Sequence, residues 1–188
     1  AGCSVGCPWC DTKHSWPSQA HPEQPIDALA EAAQSAAESG ASFVVITGGE
    51  PFMIKDHFKI LMHCVEKGYA KNIDIHYNTN GTQLPPQDIF DLWSNFKHIE
   101  IAFSIDDVGE PFEYQRHPAN WREVNENLVK FKERVTPNMD FQICSTVSIF
   151  NVFNWAKISL WVKQFQPKFF YVNTCFDPDV FNVQTLPK

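Results

Sequence analysis

The stretch FVVITGGEP, residues 43–51, decides the fold. Its first five residues form an apolar, largely β-branched run of the kind buried on both faces of a parallel sheet. Gly48 and Gly49 then let a ligand approach the backbone, and Glu50 offers a carboxylate at the same point. A strand running straight into such a turn predicts a site at the C-terminal rim of a sheet, although GGEP alone also reads as an ordinary strand-end turn.

Outward from this stretch, helical and strand patterns alternate. Pro25 followed by IDALAEAAQSAAE, with Gly40 at its end, predicts a helix before the strand. Further helices are predicted over residues 54–67, 86–96, 121–135 and up to Phe165, with strands at 73–78, 98–105, 141–149 and 169–173. Val124, Leu128, Phe131 and Val135 share one face of the fourth helix, with Asn120 as its N-cap, and Asn151 is the expected cap of the last. Five strands, each preceded by a helix, imply right-handed crossovers and an α/β parallel sheet, either barrel-like or open. Sites in such sheets sit at the strand C-terminal ends. The polar stretches TGGE (47–50), NTNGT (78–82), SIDD (104–107), STVS (145–148) and NT (173–174) would all face one rim.

The length of 188 residues suits a single domain with a substantial core. A net charge of -7, a pI of about 5.4 and the lack of a Lys/Arg run argue against nucleic acid as a partner. No apolar stretch approaches the roughly 18 residues that span a bilayer, and no signal-peptide pattern opens the chain, so no membrane is expected. Cys64, Cys144 and Cys175 stand alone in apolar segments while the other three cysteines cluster. That distribution fits metal or cluster ligation in a reducing cytoplasm better than a secreted disulfide framework. The chain opens at Ala1 and enters the cysteines at once, which reads as a fragment of something longer.

GCSVGCPWCDTKHSW, residues 2–16, spaces Cys3, Cys7 and Cys10 by three and then two residues, with Gly6 and Pro8 bending the chain so that three sulfurs reach one centre. A structural zinc site wants four N or S ligands, and His14 or His21 could supply the fourth, giving a zinc-stabilised binding module. In a cubane iron-sulfur cluster, three thiolates leave one iron free for a substrate or cosubstrate. Spacing alone leaves both readings open.

With the cysteine loop and GGEP in this order, the sequence resembles the radical S-adenosylmethionine (SAM) superfamily. The resemblance implies a partial (β/α)6 barrel over residues 1–174, lacking the first strand that normally precedes the cysteine loop, with 175–188 opening a C-terminal extension. An exposed sheet edge would follow, and with it pairing of copies as a homodimer. Cys3, Cys7 and Cys10 would hold a [4Fe-4S] cluster whose fourth iron chelates the amino and carboxylate groups of SAM. Trp9 would pack near the adenine, Gly48, Gly49 and Glu50 would receive the methionyl ammonium, and Ser104 would contact the ribose or carboxylate. A flavodoxin-like donor would supply the electron that cleaves SAM to a 5'-deoxyadenosyl radical. A chain without its first strand could also be an inactive scaffold.

Within the superfamily, GCSVGCPWCDTKHSW and FVVITGGEP resemble 7-carboxy-7-deazaguanine synthases, which contract a pterin-like ring in queuosine biosynthesis. That resemblance implies that Thr12, in the CDT motif, is associated with Mg2+. Where these synthases carry Ser-Pro-Lys, the sequence has SIDD at 104–107, which removes a substrate-site lysine. From Phe52 onward the text resembles the radical SAM proteins with a truncated auxiliary "twitch" region, many acting on peptides. Asn78, Asn80, Asp106 and Arg116 are the substrate-binding candidates, with Arg116, in a loop at 114–118, as a carboxylate clamp. Asp107 and His117 read as solvated loop residues, and Cys64 and Cys144 as small buried ones.

Overall fold

The computed structural model describes residues 3–7, 35, 36, 38–47 and 49–187. Five strands, β1 (Phe43–Ile46), β2 (Asp74–Thr79), β3 (His98–Ser104), β4 (Met139–Val147) and β5 (Phe169–Thr174), form one parallel sheet in sequential order. Four crossovers carry the helices α1 (Asp56–Glu66), α2 (Gln87–Trp93), α3 (Glu110–Gln115) with α4 (Trp121–Glu133), and α5 (Trp155–Phe165). This is the parallel α/β sheet expected of a partial barrel. The helix expected before β1 falls largely outside the described residues, but its end is described: Gly40 turns at φ +82°, and Ala41 N–H donates to Ala36 O at 2.9 Å.

The two faces of the sheet differ. Ile75, Tyr77, Ile99, Ile101, Phe103, Phe141 and Ile143 are buried in one core with Phe58, Leu61, Phe90, Trp93, Val124, Leu128, Phe131, Ile158 and Val162 of the helices. The alternate residues Asp74, His76, Asn78, Glu100, Ser104, Gln142 and Cys144 are half-buried and mostly polar, as period-two alternation requires when helices cover one face. The expectation that FVVIT is buried on both faces is therefore corrected. Phe43 and Val45 are 59% and 51% exposed, because β1 lies at the end of the strand order and its second face carries no helix among the described residues.

Local signals placed most helix boundaries within three residues. Asn120 caps α4 as expected, its Oδ1 accepting from Glu123 N–H at 3.1 Å. Asn151 does not cap the last helix. A single 3-10 turn, Val152–Asn154, intervenes, and the Asn151 side chain is spent on Ser148 N–H (2.9 Å), Asp106 O (2.7 Å) and Thr146 O (2.8 Å). The segment read as a loop at 114–118 begins inside α3, whose Gly109 N-terminus has φ +71°. Residues 175–187 turn back on the loop after β4, where Cys175 N–H donates to Val147 O at 2.8 Å and Ile149 N–H to Phe181 O at 3.0 Å.

Candidate active site

The site begins where β1 stops. Glu50 follows β1 and caps the 3-10 turn Pro51–Met53 through Phe52 N–H at 3.2 Å. Its carboxylate is fully buried and reaches the end of β2, where Thr79 Oγ1 bonds it at 2.8 and 2.9 Å and Asn80 N–H donates at 2.8 Å. Burial pushes the Glu50 carboxyl above its ordinary value, while the donors from Asn80, Thr79 and Phe52 and the charge of Arg116 pull the other way.

The cysteine loop docks on that same strand end. Asn80 Nδ2 lies 2.9 Å from Ser4 Oγ and 3.8 Å from Cys3 Sγ, and Ser4 Oγ meets Thr82 Oγ1 at 2.6 Å. On its other side the loop is held by Gly6 N–H, which donates to His117 O at 2.7 Å. The turn that presents Asn80 depends on Gly81, at φ +79°, where an added Cβ would sit 3.1 Å from Val124 Cγ1.

The end of β3 is organised differently. Asp106, 1% exposed, accepts from Arg116 Nε at 2.8 Å and also from Arg116 Nη2, while its Oδ1 accepts from Thr146 N–H at 2.7 Å. Arg116 therefore has a carboxylate partner within the chain, and the clamp expected for a substrate carboxylate is engaged by Asp106. Burial alone would lower the Arg116 pKa, but the Asp106 carboxylate, with smaller contributions from the nearby Cys7 and Cys3 side chains, more than offsets it and holds the guanidinium charged. Asp107 is not a solvated loop residue. It is fully buried and accepts from Val108 N–H (2.8 Å), Gln115 Nε2 (3.1 Å) and Asn154 Nδ2 (3.0 Å), because α3 and the turn before α5 fold over it. His117 is exposed, as expected.

Of the sequence-derived site residues, Cys3, Cys7, Gly49, Glu50, Asn80, Asp106 and Arg116 come together around the β1–β3 ends, and Ser104 ends β3 beside Cys144 in register. Asn78 sits lower on the half-buried face, paired with Ala102. Cys64 is buried, while Cys144 is half-buried and its thiol is pushed up to about 11, first by burial and then by Glu100 and Asp106. Trp9, Cys10, Thr12, His14, His21 and Gly48 lie outside the described residues. Sequence reasoning missed Ser4, Thr79 and Thr82. The available signal was the run of hydroxyl and amide side chains immediately beside the two motifs.

The Radical SAM superfamily model matches residues 1–158. The chain belongs to the radical SAM superfamily. Among curated proteins it is similar to 7-carboxy-7-deazaguanine synthases: 39% identity over 82 residues to that of Prochlorococcus marinus, covering 43% of this chain and 36% of the relative. Similarity to the Flavobacterium psychrophilum synthase, 29% over 153 residues, covers 72% of this chain and 68% of that protein. The likeness thus runs well beyond the first quarter of the chain that carries the motifs. The match spans about a third of the length of the Prochlorococcus relative. Among solved structures, native anSMEcpe with bound AdoMet superposes with a TM-score of 0.75 at 22% identity over 94% of this chain and 50% of that one. Streptococcus suis SuiB bound to precursor peptide SuiA gives 0.70 at 15% identity, over 100% and 40%. These two likenesses concern the fold.

The superfamily implies a [4Fe-4S] cluster and SAM, and the residues present fit that pair. Cys3 and Cys7 lie on one short loop at the strand C-terminal rim, with an amide donor and a guanidinium beside them and a buried carboxylate one strand away. Among the described residues no three His, Cys, Asp or Glu side chains form a separate metal site, and no helix is long and apolar enough to cross a membrane.

Proposed function

We propose that this chain carries the SAM-cleaving site of a radical SAM enzyme acting on a pterin-like small molecule in the formation of a 7-carboxy-7-deazaguanine. The observation that carries the reading is the hydrogen-bonded path from Cys3 through Asn80 to Glu50, which unites the cysteine loop and the GGEP turn at one strand end. The names of the curated relatives and the CDTKHSW text of the cysteine loop support the substrate class.

When bound, the reduced cluster would supply one electron to SAM, the chemistry that breaks its sulfonium C–S bond and makes a hydrogen-abstracting 5'-deoxyadenosyl group available beside the substrate. The chain's own residues hold and orient. Cys3, Cys7 and Cys10 would ligate three irons, Gly48, Gly49 and Glu50 would receive the methionyl ammonium, Trp9 would pack near the adenine and Ser104 would contact the ribose or carboxylate. Thr12 would take part in a Mg2+ site for the substrate carboxylate, and a flavodoxin-like protein would be the electron donor.

SIDD at 104–107, where the synthases carry a lysine, together with the capture of Arg116 by Asp106, favours a second reading in which the substrate is a peptide. One experiment separates the two. The chain is reconstituted anaerobically with iron and sulfide, reduced with dithionite and given SAM and 6-carboxytetrahydropterin, with products read by mass spectrometry. 5'-Deoxyadenosine together with the carboxydeazaguanine is the expected result. Deoxyadenosine without the deazapurine would overturn the substrate assignment, and the absence of both products would overturn the enzyme reading.

A further inference from the structure

Asn80 has little conformational choice. It is 5% exposed, its backbone N–H is bound to Glu50, and the next residue turns at positive φ. Its Oδ1 accepts from Thr82 N–H at 3.0 Å and from Thr82 Oγ1 at 2.7 Å. A backbone N–H can only donate, so the atom facing it must be the amide oxygen, and the orientation of the side chain follows from chemistry. The NH2 group is then aimed at Ser4 Oγ and Cys3 Sγ with two hydrogens to give. Sulfur in this position must act as acceptor, and a metal-bound thiolate accepts far better than a thiol.

We infer that Asn80 is a positioning residue for the cluster, and that its side-chain N–H···S bond to Cys3 sets the reduction potential while its bond to Ser4 holds the cysteine loop on β2. The inference rests on the superfamily's cluster and not on the choice of substrate. Hydrogen bonds to cluster sulfurs stabilise the more negatively charged, reduced state and so raise the potential. Removal of this donor should make the cluster harder to reduce.

The test uses the reconstituted chain without substrate, reading iron per chain and the midpoint of an EPR-monitored reductive titration. Asn80→Asp keeps the acceptor for Thr82 and replaces the donor with a carboxylate. Its midpoint should move to more negative potential at any iron loading it sustains. Thr82→Val retains the backbone N–H that orients the amide, and Ser4→Ala leaves the sulfur contact in place, so both should titrate as wild type even where iron is partly lost. A wild-type midpoint in Asn80→Asp, or an equal shift in Ser4→Ala, would overturn the donor role in favour of simple loop support. A further readout is independent of any variant: in wild-type protein labelled with 15N-asparagine, pulsed EPR of the reduced cluster should reveal a coupled side-chain nitrogen with exchangeable protons. Absence of that coupling would overturn the inference, whatever products the substrate assay gives.

Discussion

The ends of β2 and β3 are adjacent strands at one rim, both rich in buried polar groups, yet they spend those groups differently. At the end of β3, Asp106, Arg116, Thr146, Asn151, Asp107, Gln115 and Asn154 bond to one another across the β3–α3 and β4–α5 connections. At the end of β2, Thr79, Asn80 and Thr82 bond outward, to Glu50 after β1 and to Ser4 and Cys3 in the cysteine loop. The first network closes on itself and fixes the fold. The second joins three separate segments, so changes there should cost cluster binding more than stability.

The largest expected effect tests the β3 side. Arg116→Met leaves the Asp106 carboxylate buried without its partner and should cost about 3–5 kcal/mol in urea unfolding. A cost of the size seen for exposed pairs would dissolve the contrast between the two strand ends. Asn151→Ala should follow, at about 1–3 kcal/mol, since it strips donors from the Asp106 and Thr146 carbonyls. On the β2 side, Gly81→Ala should cost about 1–2 kcal/mol from its left-handed backbone, more if Val124 cannot yield, and it should also lower iron per chain after reconstitution. Ser4→Ala should change unfolding by about 1 kcal/mol or less while still reducing iron retention, which sharpens the distinction between holding the fold and holding the loop.

The smallest effect is in pH dependence. The Glu50 carboxyl is raised above 4.5 in the folded chain, first by burial. Between the unfolded value and the raised one, the folded state binds more protons, so this group's contribution to stability is lost as pH rises through that window. Thermal midpoints measured across mildly acidic pH should show this decline in the wild type and a flatter course in Glu50→Gln. An identical slope in both would place the titration elsewhere.

Much of this was readable from residues alone. The β-branched runs and their alternation with helical patterns gave five parallel strands, because hydrophobic periodicity is a local property. Cys3, Cys7 and Glu50 were legible because their chemistry is concentrated in short motifs. What escaped was the pairing of particular side chains that only packing brings together. Arg116 and Asp106 were each read as open to substrate, and only tertiary packing makes them partners. Asp107 looked solvated until α3 and Asn154 covered it, and Asn151 looked like a cap until the carbonyls after β3 and within β4 claimed it. The exposure of Phe43 and Val45 was hidden for the same reason, since composition does not tell an edge strand from a central one.

The central claim is that the cysteine loop at this rim holds a SAM-binding cluster. Anaerobic reconstitution followed by EPR of the dithionite-reduced chain, with and without SAM, tests it most directly. The account predicts a brown protein with about four irons per chain, a reduced-cluster signal that changes on adding SAM, and loss of both in Cys3→Ala or Cys7→Ala. A colourless protein with one zinc per chain and no response to SAM would contradict it.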